Sequence, residues 1–354
     1  MRLLRQGFLL PGQLGFEHGS AVPGAFEHCD APHCKAGCGW PTISIMLTAI
    51  ETQLISTFTT LLDRARQLGP RRVAVIVADD EVALTAADRA LQLGIAVPVL
   101  LGNVAAIRAR AEELGLADLL SAAELVDTTD AAADAVQLAR EGYVEVLLKG
   151  HLRTDELLHA VLNKNTGLRT GRLLSDVLLY EDTLAGETRL VGITDGGLNV
   201  LPTLEQKQQI VENAIEVMRC LGHSRPKLAI MSATEAVSAS LPSTEDAFRL
   251  TQMAEAGEFG DIEMFGPLAL DCALLESAAR AKGITHPAAG RADCMIVPNI
   301  ESGNLLGKAV KYLGGSQCAH VVVGAKVPIL IPSRVESVDD KVNSIALGVL
   351  FARR

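Results

Sequence analysis

From residue 72 onward the chain alternates short aliphatic runs with amphipathic segments of helical period, and this alternation limits its possible folds more than any other feature. Strands are predicted at 72–78 (RVAVIVA), 96–101 (AVPVLL), 123–126, 144–148 (VEVLL), 189–193, 227–231 (KLAIM), 262–265, 293–297 (DCMIV), 319–323 and 328–331 (PILI). Helices are predicted at 46–67, 80–94, 103–115, 129–141, 154–163, 203–221, 244–256, 268–282, 302–313 and 338–352. Runs that are apolar throughout, rather than at every second residue, belong to strands buried on both faces, and these are usually parallel. Strand–helix repetition of this regularity implies βαβ crossovers and a largely parallel sheet in an α/β protein. A polar stretch from Asn163 to Asp176 interrupts the series and suggests two α/β domains.

Composition narrows the function classes. The formal net charge of −10 opposes non-specific nucleic-acid binding, which needs a basic surface. No apolar run reaches the roughly 18 residues of a membrane-spanning helix. Aromatics are only 3% of the 354 residues, so aliphatic packing must dominate the core. The first 45 residues lack helical or strand period and read as a disordered extension ahead of Met46. Gly7, Pro11 and Gly12 cut the apolar stretch that a signal peptide needs. His28, Cys29, His33, Cys34 and Cys38 fit no regular zinc spacing, so no metal site is expected. Cys220, Cys272, Cys294 and Cys318 form no CxxC pair and read as small buried hydrophobes. His223, His286 and His320 have no ligand-type neighbours in sequence.

In open α/β sheets ligands bind beyond the carboxyl ends of strands, so the residues after each strand are the ones to inspect. Five such places stand out. They are Lys149-Gly150-His151-Leu152-Arg153-Thr154, Thr194-Asp195-Gly196-Gly197, Ser232-Ala233-Thr234-Glu235, Pro298 to Asn304 with Lys308, and Pro332-Ser333-Arg334 with Asp339-Asp340. In the first, Thr154 is placed to cap the following helix. The fourth reads either as an anion cradle of small residues, helix-start N–H groups and a lysine, or as an ordinary loop capped by Ser302. Ser333-Arg334 reads equally as a cap beside a surface cation, and Asp339-Asp340 as acids favoured by a helix macrodipole. Neither a Walker motif nor GxGxxG follows a strand, and no Gly-x-Ser-x-Gly elbow is present.

Together these loops resemble the phosphate acetyl/butyryl transferase family, and its butyryl branch more closely. The resemblance is carried by LLKGHLRTDELLHAVLN (147–163), ITDGGLNVLPTLEQKQQIVENAIEV (193–217), MSATEAVSASLPSTEDA (231–247) and FGPLALDCAL (265–274). It continues through AGRADCMIVPNIESGNLLGKAVKYL (289–313) and GAKVPILIPSRVESVDDKVNSIALGVL (324–350). It implies a two-domain α/β/α fold of the isocitrate/isopropylmalate dehydrogenase type, with the site in the cleft. The domains implied are 46–165 plus 325–354, and 166–324. It also implies a cytoplasmic homodimer whose partners are acyl-CoA and inorganic phosphate. No nucleic acid, membrane or permanently bound cofactor is implied, coenzyme A serving as substrate.

The resemblance further assigns roles. Arg334 offers its planar fork to phosphate or to developing charge, Ser333 hydrogen-bonds the carbonyl oxygen, and Asp340 takes the thiol proton or only orients the thiol. A base role requires the cleft to raise the Asp340 pKa towards the thiol's. His159 stands where acetyl-specific relatives place an arginine, and Arg140 maps onto a second binding arginine. Lys149 and Arg153 are candidates to compensate for the missing guanidinium. Ser302, Gly303, Asn304 and Lys308 are candidates to contact coenzyme A or phosphate. Competing readings are a coenzyme A-binding regulatory homologue without turnover and an NAD(P)-dependent dehydrogenase on the same fold. The dehydrogenase needs a carboxylate–metal cluster and a nucleotide motif.

Overall fold

The computed structural model describes residues 53–333 and 335–352. The readings made of residues 1–45, and the placement of Arg334, lie outside the described residues. The elements run α1 (Phe58–Leu68), β1 (Arg71–Ile76), α2 (Glu81–Gln92), β2 (Ala96–Gly102), α3 (Val104–Glu113), α4 (Ala117–Ala122), β3 (Glu124–Asp127), α5 (Ala131–Arg140), β4 (Val146–Lys149) and α6 (Thr154–Val161). There follow β5 (Ser175–Asp182), β6 (Arg189–Thr194), α7 (Leu204–Cys220), β7 (Lys227–Met231), α8 (Pro242–Glu255), β8 (Glu263–Leu268), α9 (Leu270–Leu274), α10 (Glu276–Ala281), β9 (Cys294–Ile296) and α11 (Ile300–Lys308). The last are β10 (Cys318–Val323), β11 (Ile329–Leu330) and α12 (Val338–Phe351).

All the described strands join one sheet of eleven, ordered β3-β2-β1-β4-β11-β10-β5-β6-β9-β7-β8. Both wings are parallel, as the apolar runs require, but three ladders in the middle are antiparallel: β11 with β10, β10 with β5, and β5 with β6. Strand β5 lies in the stretch that the sequence left without a strand. Its sequence, SDVLLYED, starts and ends on polar residues, which hide the apolar run between them.

Successive strand residues point to opposite faces, and the packing follows that rule. Val73 and Val75 of β1 join a core with helices α1, α2, α7 and α12, whereas Ala74 and Ile76 join a second core with α5 and α6. The first core runs along the whole sheet, drawing on Val177, Leu179, Leu228, Ile230 and Val321 as well. The opposite face carries two separate cores, one around β1, β2 and β4, the other around β5, β6, β7 and β9. Two hydrophobic clusters on one face leave a gap between them, and that gap is where a ligand can reach the sheet.

Helix α12 holds the continuous face together. It is buried almost all round, with Val342, Ile345, Ala346, Leu347, Val349 and Leu350 in the core, as expected of a helix with no wide polar stripe. Gly348 permits this close approach, since a Cβ there would lie 2.9 Å from Val146 Cγ1. Among the described residues no helix is long and apolar enough to cross a membrane.

Candidate active site

The cavity between the two clusters measures about 210 Å³. Its walls come from five places in the chain: Thr154 at the start of α6; Asp176 and Leu178 of β5; Gly196, Gly197 and Leu198 after β6; Gly303, Asn304, Gly307 and Lys308 of α11 with Lys311 and Tyr312 beyond it; and Cys318, His320, Val322, Ile331, Ser333 and Glu336. Leu178 and Cys318 belong to one cluster, Val322 to the other, so the cavity bridges both.

Local sequence explains how each wall is held. After β6, Asp195 folds the chain back by accepting from the N–H groups of Gly197 (2.8 Å), Leu198 (2.9 Å) and Asn199 (3.2 Å), and from Asn199 Nδ2 (2.6 Å). Burial and the neighbouring Asp176 push the Asp195 carboxyl up to about 6 despite those donors. Helix α11 packs its Gly303 directly on Gly196: a Cβ at 303 would lie 2.7 Å from Gly196 Cα and 2.9 Å from the Asp195 carbonyl oxygen. Asn304 Nδ2 then donates to the Gly196 carbonyl at 3.3 Å. Two glycines thus allow a helix to lie backbone to backbone against the post-strand loop.

The N-cap of α11 is Asn299, which accepts from Ser302 N at 2.9 Å; Ser302 is the reciprocal partner of this capping box rather than the cap. Likewise Arg153, not Thr154, occupies the cap position of α6, without a side-chain cap bond, and Thr154 opens the helix. The turn after α11, Ala309–Leu313, is wound as a π-helix and brings Lys311 and Tyr312 to the cavity. π-turns of this kind recur at functional sites. The ammonium of Lys308 lies 5.6 Å from the centroid of the Tyr312 ring, and no carboxylate among the described residues pairs with it.

Asp340 is fully buried behind this wall, and both its oxygens are occupied. Oδ1 accepts from Cys318 N (2.9 Å); Oδ2 accepts from Lys311 Nζ (2.5 Å), Ser337 Oγ (2.6 Å) and Ser337 N (3.1 Å). Although burial alone pushes its carboxyl up, these donors, led by Lys311, hold it below the ordinary carboxylate range. The cleft therefore does not raise the Asp340 pKa, and the reason is the ammonium placed against it. Asp339 points elsewhere, pairing with Arg89.

Of the other residues singled out in the sequence, Ser333 lines the cavity, and its N–H donates to Glu336 Oε1 at 2.9 Å. Gly303, Asn304 and Lys308 line it as well, whereas Ser302 faces a neighbouring cavity of about 750 Å³ with Met231, Val297 and Leu306. Lys149 is buried, with its ammonium 3.4 Å and 3.3 Å from the carbonyl oxygens of Gly150 and Leu152. Arg153 is exposed and bidentate to Asp155 at 2.9 and 2.8 Å. Arg140 and His159 come together, but in a third cavity of about 620 Å³ that also holds Glu156 and Asp134.

Four charged residues of the cavity, Asp176, Lys311, His320 and Glu336, are not among the candidates that the sequence offers. His320 has no ligand-type neighbour in sequence, yet Nδ1 lies 3.1 Å and 3.2 Å from the two Asp176 oxygens and Nε2 lies 3.5 Å from Glu336 Oε1. Post-strand inspection cannot find Asp176 or His320, because both lie within strands. Cys272, Cys294 and Cys318 are buried and Cys220 is half-buried. One acid–thiol cluster, Glu235, Asp271 and Cys272, has metal-ligand composition, but Lys282 fills it, 2.8 Å from Glu235 and 3.2 Å from Asp271.

The site is thus a cleft in a mixed α/β sheet, walled by a glycine-packed helix, two lysines, a histidine and two carboxylates. Comparison with known proteins specifies the class. The family model described as phosphate acetyl/butaryl transferase matches residues 117–349. A phosphate acetyltransferase of Rhizobium meliloti is 41% identical over 302 residues, covering 84% of this chain and 94% of that protein. A phosphate butyryltransferase of Clostridium beijerinckii is 37% identical over 300 residues, covering 84% and 98%. The crystal structure of a branched-chain phosphotransacylase from Enterococcus faecalis superposes with a TM-score of 0.70 at 28% identity, covering 80% of this chain and 99% of that one. The chain belongs to the phosphate acetyl/butyryl transferase family and is an α/β acyltransferase.

Proposed function

We propose that the protein reversibly transfers a short acyl group, butyryl or acetyl, between coenzyme A and inorganic phosphate, and that it does so in the cavity between the two clusters. The observation that carries this site is the convergence of the 194–197 loop, helix α11 and the Ser333 loop on one small space beside Lys308 and Lys311. In the reaction a phosphate oxygen attacks the thioester carbonyl, a tetrahedral oxyanion forms, and the coenzyme A thiolate leaves. The chemistry needs positioning and positive charge more than a strong base. The Ser333 hydroxyl is suited to hydrogen-bond the carbonyl oxygen. Arg334, next in sequence, supplies the fork that grips phosphate. Lys308, which no carboxylate among the described residues pairs, opposes the charge of phosphate and departing thiolate, while Lys311 stays paired with Asp340.

Asp340 is better suited to hold Lys311 than to accept a proton, because both oxygens are taken and its carboxyl is held low. Gly303 and Asn304 contribute through the wall they build, whereas Lys149, Arg153, Arg140 and His159 do not line this cavity. A cytoplasmic homodimer with the cleft between two lobes, 46–165 plus 325–354 and 166–324, completes the reading.

The test is phosphate-dependent release of thiol from butyryl-CoA and acetyl-CoA, followed with a thiol reagent, in wild type, Ser333→Ala and Arg334→Gln. We expect release in wild type and losses of about 10²-fold or more in both variants. No phosphate-dependent release across C2 to C8 acyl-CoAs would refute the function, and wild-type rates in both variants would refute the roles.

A further inference from the structure

We propose that His320 is a positioning residue: its ring, clamped between Asp176 and Glu336, ties the loop that carries Ser333 to the middle of the sheet and so fixes the seryl group at the cavity wall. The proposal rests on the reading of this cavity as the active site. Three elements meet at the ring. Asp176 comes from β5, His320 from β10, and Glu336 from the segment leading into α12. Glu336 is the link to Ser333, since the same Oε1 that faces His320 Nε2 accepts the Ser333 N–H, while Glu336 N donates to the Ser333 carbonyl at 3.1 Å. The ring's own backbone is fixed, because His320 N donates to Ser344 Oγ of α12 at 2.9 Å.

Charge explains why a histidine is needed. Asp176 and Glu336 are each only 7% exposed, and two nearly buried carboxylates on one cavity wall are costly without a cation between them. Only the doubly protonated imidazole presents an N–H to each side. Among the described residues nothing donates to Glu336 Oε2, so its Oε1 contacts with His320 and Ser333 are what hold this side chain. Burial alone pulls the histidine down, but Asp176 and then Glu336 overcome it and raise the ring to about 9, with Lys308 of α11 opposing them. The other charged groups nearby are engaged elsewhere. Lys311 is paired with Asp340 of α12, and Asp195 is held by its own loop. Cys318, two residues along β10, is pushed up by burial to about 12, and β11 brings no titratable group. The clamp is therefore closed through neutral pH and opens as pH rises through about 9.

Two measurements test this. The first is kcat/KM for butyryl-CoA and phosphate in the thiol-releasing direction, so that the ordinary titration of a thiol substrate near about 8.5 stays off the profile. Wild type should show an alkaline limb near 9. Glu336→Gln and Asp176→Asn should move the limb to lower pH, and His320→Gln should abolish it while lowering kcat about 10- to 100-fold with little change in KM for phosphate. The second is the titration of the His320 ring by NMR in histidine-labelled protein, assigned by its loss in His320→Gln, and it needs no turnover. A ring titrating at the ordinary value of about 6.5, or a limb unmoved in all three variants, overturns the proposal. A ring titrating near 9 in a protein without phosphate-dependent thiol release overturns the active-site reading instead, and with it the positioning role. Should His320→Gln fail to fold, the position of the limb in Glu336→Gln and Asp176→Asn decides.

Discussion

Replacing Gly303 with alanine adds one methyl group where two backbones already touch. The new Cβ would lie 2.7 Å from Gly196 Cα, 2.8 Å from Val297 Cγ2 and 2.9 Å from the Asp195 carbonyl oxygen. Carbon atoms prefer separations of about 3.5–4.0 Å, so helix α11 and the 194–197 loop must part by about 1 Å. Overpacking of this kind costs about 1–3 kcal/mol, while alanine in a helix regains up to about 1 kcal/mol over glycine. The net loss of stability is therefore about 0–2 kcal/mol, a fall in Tm of no more than about 8 °C. Activity should suffer far more, because a 1 Å displacement of positioning groups costs about 10²-fold in rate. Gly307→Ala, one turn along the same wall, is the comparison: its Cβ meets only the flexible end of Leu178, at 3.1 Å, and should cost about tenfold less than Gly303→Ala. The assays are scanning calorimetry and thiol release from butyryl-CoA. If Gly303→Ala retained wild-type kcat/KM, or lost activity only in proportion to unfolding, the contact would not set the cavity.

Other expectations follow from the same geometry. Asp340→Asn strips the buried partner from Lys311 and should cost about 3 kcal/mol in urea unfolding; Lys311→Met should couple to it, and strict additivity of the two would refute the pair. Against burial, Asp176 and Glu336 raise the His320 ring from its ordinary value to about 9, so its charged form stabilises the folded state. That contribution is fully present below the unfolded value and fades as pH climbs through the folded one, so calorimetry should show wild type losing stability between those two limits and His320→Gln losing less. Cys294 and Cys318, both buried with thiols pushed up by desolvation, should react with a thiol reagent only on unfolding. Labelling of either in the native enzyme would contradict their placement.

The parallel wings were legible because their strands are apolar on both faces: 227–231 was read with the bounds it has, and 96–101 lacked only Gly102. In the middle of the sheet β6, β10 and β11 were legible too, but β5 and the antiparallel pairing it makes were not. Strand β5 opens on Ser175-Asp176 and closes on Glu181-Asp182, and each polar group has a tertiary task that sequence cannot show; Glu181, for example, accepts from Phe58 N at 2.8 Å. The segment read as one helix over 268–282 breaks at Leu275, whose backbone is extended between two short helices. The site divides along the same line. Gly196, Gly303, Asn304, Lys308 and Ser333 follow strands that each have a parallel neighbour, so the rule about carboxyl ends reaches them, and all line the cavity. Asp176 and His320 lie on antiparallel strands 144 residues apart, a pairing visible only once those strands are adjacent. Arg140 and His159 show the converse: they meet in space, but around a different cavity.

The central position of β10 and β11 has a consequence for how the protein is made. Strand β4 ends at Lys149, and its outer neighbour, Ile329–Leu330, is 180 residues further on (329 − 149). Strand β5 likewise waits for Cys318–Val323. During synthesis at about 5–20 residues per second, the edge of β4 stays open for roughly 10–35 s, with helix α12 still unmade above it. A ribosome that stops before Cys318 releases two half-sheets with bare apolar edges, the kind of surface that seeds aggregation. The residues from Cys318 onward also bring His320 and Ser333 to the cavity, so the chain closes its sheet and completes its catalytic wall in one late event.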